Sequence, residues 1–138
     1  MVDIKEGTRP VVEMTGLLDG LSDQDMADIA AYFAKQAGTV GHAAKDLVAQ
    51  GETIYRAGIA KKGVAACTAC HSPTGDGNAQ AGFPSVGGQH ATYAEKQLKA
   101  FRNGERSNDP GKMMQDIAAK LSDAEIKAVA SYIQGLSK

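Results

Sequence analysis

"CTACH", residues 67–71, contains both cysteines of the chain. Three readings of the pair compete. A structural zinc site needs about four nitrogen or sulfur ligands. Beyond the two thiols only His42 and His90 could be recruited to it, and there is no second CxxC. A thioredoxin-like dithiol would end a strand in an alternating strand–helix pattern, whereas the flanks here read as helical. The third reading is covalent attachment of haem, for which C-x-x-C-H is the specific signature. Two cysteines one helical turn apart can form thioethers to both vinyl groups, and His71 then supplies a proximal imidazole. An attached macrocycle would also fill a core that has four Tyr, three Phe and no Trp.

On the N-terminal side, residues 45–58, "KDLVAQGETIYRAG", bring Leu47, Gly51, Ile54, Tyr55 and Gly58 near one another at helical spacing. Small Gly51, one turn before Tyr55, would let another helix approach closely. On the C-terminal side, "AGFPSVGGQ" at 81–89 reads as a tight loop. It is followed by a helix over about 91–103, with Tyr93, Ala94, Gln97, Leu98 and Phe101 along one face and Gly104 as its C-cap. The clearest helix covers 123–136. Ser122 with Glu125 makes a capping box, and Ile126, Val129, Ala130 and Ile133 form one apolar stripe.

Met113 and Met114 stand between the loop "NDPGK" and that last helix. A thioether is a soft ligand suited to haem iron, and His/Met axial ligation raises the reduction potential relative to two histidines. Most methionines are core filler, but the position of this pair makes one of the two the expected sixth ligand.

Length and composition bound the rest. The chain has 138 residues, enough for one domain or one domain with an appendage. No apolar run approaches the ~18 residues of a membrane span, and a net charge of −1 argues against a general nucleic-acid binder. Residues 1–36 hold seven acidic and three basic side chains, against nine and twelve in residues 37–138. Such opposed charge would suit docking to charged redox proteins, and Lys61, Lys62, Lys96 and Lys99 could steer a partner. No signal peptide is visible at the start.

The order of parts (N-terminal helix, CTACH, Gly/Pro loop, middle helix, Met, C-terminal helix) resembles a class I cytochrome c. The stretches "CTACHSPTGDGNAQAGFPSVGGQHATYAEKQLKAFRNGERSNDP" and "MMQDIAAKLSDAEIKAVASYIQGL" are more similar still to the second domain of the di-haem cytochrome c4 family. The resemblance implies an all-α fold wrapped around one haem c, attached through Cys67 and Cys70, with His71 and Met114 rather than Met113 on the iron. It implies that the Pro84 carbonyl holds His71 through its Nδ1 hydrogen, and that the first and last helices cross with Gly51 and Tyr55 against the Tyr132 region. It also implies a non-enzymatic periplasmic electron carrier of the respiratory chain, taking electrons from a donor complex and delivering them to a terminal oxidase. The rival class is a haem-based ligand-binding or sensor protein in which the Met is displaced; a haem-free interaction domain using the thiols is a third.

A repeat completes the reading. "MTGLLDGLSDQD" (14–25) lies over "MQDIAAKLSDAE" (114–125) without a gap, and "VDIKEGTR" (2–9) resembles "KAFRNGER" (99–106). Residues 1–36 therefore resemble the C-terminal half of a first cytochrome domain, a helical remnant that includes the ligand-type Met14. Residues 37–47 resemble a linker, and 48–138 a complete mono-haem domain. The apolar face of Met26, Ile29, Ala30 and Phe33 must fray into solvent, pack on residues 48–138, or meet a second copy of the chain in a homodimer.

Overall fold

The structure is a computed structural model and describes residues 1–36, 38 and 41–136. It is helical, with two isolated β-bridges, Ile59 with Val64 and Asn78 with Phe83, among the described residues. Helix α1 is Val2–Lys5, α2 Asp23–Ala34, α3 Val48–Ala57, α4 Thr68–His71, α5 Ala91–Asn103, α6 Met113–Ala118 and α7 Asp123–Gly135.

Helix α7 organises the molecule. Its first turn is closed by the reciprocal bonds of Ser122 and Glu125, which satisfy backbone N–H groups that a helix start leaves without partners. Ile126, Val129 and Ile133 are buried on one side. Fully burying such a side chain is worth roughly 1.5–3 kcal/mol, so this stripe fixes which face turns inward. Helix α3 crosses it, and α5 packs against both α7 and α6. The shared core consists of Ile54, Tyr55, Val64, Leu121, Ile126, Val129, Ile133 and Leu136.

Gly51 explains the crossing. A Cβ placed there would lie 2.3 Å from the Ala128 carbonyl oxygen and 2.6 Å from Tyr132 Cβ. Only a residue without a side chain lets the two backbones meet so closely. One turn on, the rings of Tyr55 and Tyr132 lie 5.6 Å apart at 48°. Helix α3 is shorter than the span of 45–58 read from the sequence: residues 45–47 form a turn and no side chain caps its start.

Residues 41–44 run along α7. The Ala44 N–H donates to Ser131 Oγ at 2.9 Å, and Gln134 Nε2 donates to the His42 carbonyl at 3.0 Å. Of the stretch read as a linker, Ala37, Thr39 and Val40 lie outside the described residues, as do Ser137 and Lys138 at the other end.

The N-terminal segment repeats local structure as well as sequence. The Arg9 N–H bonds the Asp3 carbonyl as Arg106 N–H bonds that of Ala100, and Gly7 N–H bonds Ile4 as Gly104 N–H bonds Phe101. Ser22 and Asp25 close a capping box on α2, the counterpart of that on α7. The segment meets α5 and the loop after it: Lys96 pairs with Glu13 at 2.7 Å, Asn108 Nδ2 donates to Asp3 at 2.6 Å, and Arg9 donates to the Tyr93 hydroxyl. The apolar face of α2 is divided. Met26 is buried and Ile29 half-buried, but Ala30 is exposed and Phe33 is 66% exposed, its ring stacked edge-on against the exposed Tyr32.

Candidate haem site

The motif occupies a single helical turn. Cys67 is the N-cap of α4, with the His71 N–H on its carbonyl at 2.9 Å. Three residues apart on one turn, Cys67 and Cys70 fall on the same side of the chain. Neither is in a disulfide, and both are half-buried. Cys67 packs against the core cluster, and burial pushes its thiol up to about 11. A redox dithiol needs a thiolate at neutral pH, so this environment disfavours the thioredoxin-like reading. Among the described residues no cluster of three or more His, Cys, Asp or Glu could hold a separate metal ion, so the zinc reading finds no third ligand there.

His71 Nδ1 lies 2.9 Å from the Pro84 carbonyl oxygen. A carbonyl can only accept, so Nδ1 carries a proton, and in the neutral ring the free lone pair is then on Nε2. That is the tautomer a metal requires, and the second bond orients the ring. The two residues are brought together by a tight loop: the Gly77 N–H returns to the His71 carbonyl at 2.9 Å, and a Cβ on Gly77 would sit 2.5 Å from the Pro84 oxygen.

The two methionines differ. Met113 is 44% exposed, whereas Met114 is half-buried on α6. Helix α6 is held at its start by Asp109, whose carboxylate accepts the Gln115 N–H at 3.0 Å and the Gln115 side-chain amide at 2.7 Å. Burial alone would push this carboxyl up, but the Gln115 donors and the Met114 N–H hold it below the usual carboxylate range. The sequence reading treated "NDPGK" only as a loop. The Asp-Pro pair four residues before Met113 is the signal that could have marked Asp109 as the anchor.

These residues fit a haem. Two thiols on one side of a turn and an imidazole whose Nδ1 is bonded to a carbonyl suit covalent attachment and iron ligation, and Met114 would be the thioether donor.

A cytochrome c family model matches residues 48–137. The chain is 63% identical to cytochrome c4 of Pseudomonas aeruginosa over 99% of its own length and 68% of that protein's. The chain belongs to the cytochrome c4 family. Its fold superposes on the crystal structure of reduced recombinant cytochrome c4 from Pseudomonas stutzeri with a TM-score of 0.94 at 53% identity, covering 98% of this chain and 76% of that one. A more distant relative, 35% identical over 99% of this chain and 64% of its own length, is the thiosulfate dehydrogenase electron acceptor of Stutzerimonas stutzeri. The cytochrome is thus an electron-transfer protein carrying one covalently attached haem c at its two-cysteine motif.

The lysines read as steering groups are mostly engaged within the molecule. Lys62 pairs with Glu125 at 2.7 Å, Lys96 with Glu13 and Lys99 with Glu95 at 2.6 Å, while Lys61 is exposed with no such partner among the described residues. A lysine already paired presents less net charge to a visiting protein than its sequence position suggests.

Proposed function

We propose that the cytochrome is a periplasmic, non-catalytic electron carrier in which His71 and Met114 are the axial ligands and electrons pass to a terminal oxidase. The observation that carries this reading is the 2.9 Å bond between His71 Nδ1 and the Pro84 carbonyl. It leaves Nε2 free for the iron and fixes the ring that bears it. When bound, haem supplies a one-electron couple. The protein's work is to anchor it through Cys67 and Cys70, orient His71 and keep Met114 in reach. With His71 and Met114 both on the iron, no position would be left for a substrate. No described helix is long and apolar enough to cross a membrane.

The relative named as an electron acceptor of thiosulfate dehydrogenase supports a second reading of the donor side, in which a dehydrogenase of that kind reduces this cytochrome. The two readings concern opposite ends of the transfer and can both hold.

The test of the ligands is a visible spectrum. We expect a low-spin spectrum with a weak band towards the red edge in the oxidised protein. Met114→Ala should keep the haem attached but turn it high-spin, whereas Met113→Ala should leave it low-spin. The opposite pattern would transfer the role to Met113. A wild-type protein that is already high-spin and binds added ligands without resistance would favour the sensor reading.

A further inference from the structure

Ser72, directly after His71, has φ 67° and ψ 163°. This region is essentially reserved for glycine, and another residue stays there only where its surroundings hold it. The hydroxyl of Tyr55 donates to the Ser72 carbonyl at 2.8 Å, and the Gly75 N–H reaches the same oxygen at 3.3 Å. Ser72 Oγ in turn accepts the Asp76 N–H at 2.9 Å. The turn so formed sends the chain back, placing the Gly77 N–H on the His71 carbonyl and the Gly77 backbone against Pro84.

Of these contacts only the Tyr55 bond comes from outside the loop. Tyr55 has no exposed surface and sits on α3, whose backbone is pressed against α7 at Gly51. It is therefore tied to the close-packed crossing of α3 and α7. Burial pushes its phenol up to about 12, so it remains a donor throughout the neutral range.

We infer that Tyr55 is a positioning residue for His71: by holding Ser72 in its left-handed turn, its hydroxyl fixes the loop that presents the Pro84 carbonyl to the imidazole. The inference rests on the reading of His71 as an axial ligand. A carbonyl bonded to Nδ1–H makes the imidazole a stronger donor, which favours oxidised over reduced iron. Loosening the turn weakens that bond, and the reduction potential should rise.

The experiment uses the holoprotein with Tyr55→Phe, Ser72→Gly and both together. Tyr55→Phe should retain attached haem and a low-spin spectrum, raise the reduction potential, and shift the NMR resonances of the His71 ring. Glycine adopts the turn without help, so in the Ser72→Gly background the same change should move the potential less than half as far. A Tyr55→Phe protein with wild-type potential and His71 resonances overturns the inference, as does an equal shift in both backgrounds. Should Tyr55→Phe fail to yield holoprotein, the double variant is the test: recovery of holoprotein with Ser72→Gly supports the inference, and equal failure of the single and double variants overturns it. Failure of the ligand reading is recognised separately, by a wild-type spectrum that is not low-spin before any variant is made.

Discussion

The Glu125 carboxylate serves the Ser122 N–H at 2.7 Å, the Ser122 hydroxyl at 2.9 Å and the Lys62 ammonium at 2.7 Å. The Lys62 bond and then the Ser122 N–H hold it below the ordinary carboxylate range. A depressed carboxylate stabilises the fold above its unfolded value, here 4.5, and that contribution is lost as pH falls through the folded pKa. Glutamine can keep the capping geometry but not the charge. Glu125→Gln should therefore be less stable than wild type by roughly 0.5–1 kcal/mol at neutral pH, the scale of a partly exposed ion pair. The gap should close well below pH 4.5. Urea midpoints at the two pH values check this, and a gap that persists in acid would remove the charge from the account. The capping box was legible in the sequence because its partners are three residues apart. The Glu95–Lys99 pair also lies at helical spacing, yet Lys99 was read from the sequence only as a steering group. The Lys62–Glu125 pair spans 63 residues and the Tyr55–Ser72 bond joins two elements, so neither could be read before the helices were placed.

Helices α5 and α7 were legible because each combines an apolar stripe with a local stop or start signal: Gly104 with φ 75° after α5, and Ser122 before α7. Helix α6 was less so. It has six residues, follows Lys112 at φ 58°, and depends on a side chain four residues upstream for its start. The crossing of α3 and α7 lies between these cases, since Gly51 pointed to a close approach without naming what approaches. The contact makes a strong prediction. Gly51→Ala would gain about 1 kcal/mol of helix propensity. But its methyl would meet the Ala128 carbonyl, a backbone atom that cannot rotate away. Overpacking of this kind costs roughly 1–3 kcal/mol, so the net effect should be a lower urea midpoint, larger again for Gly51→Val. An alanine variant at or above wild-type stability would mean that the helices separate freely at this point.

At the scale of the molecule, two regions carry related sequences but different amounts of core. All eight residues of the main cluster fall between Ile54 and Leu136. In the N-terminal segment Leu18 and Met26 are buried, while Val12, Leu17, Tyr32 and Phe33 are each more than half exposed. A segment with so few buried groups should open at lower free energy than the core it adjoins. Its ties to the rest include polar bonds of Glu13 with Lys96 and of Asp3 with Asn108. We therefore expect Asp3→Ala combined with Glu13→Ala to speed proteolytic cleavage within residues 2–21 several-fold. The visible spectrum and the thermal midpoint of the haem-bearing region should stay unchanged. The cavity beside Met14, about 320 Å³ and lined by Ile4, Val11 and Leu18 among others, belongs to that same outer segment. If the midpoint and the spectrum instead moved together with the cleavage rate, residues 1–36 would be a cooperative part of the haem domain, and the repeat would mark a working half of one folded unit.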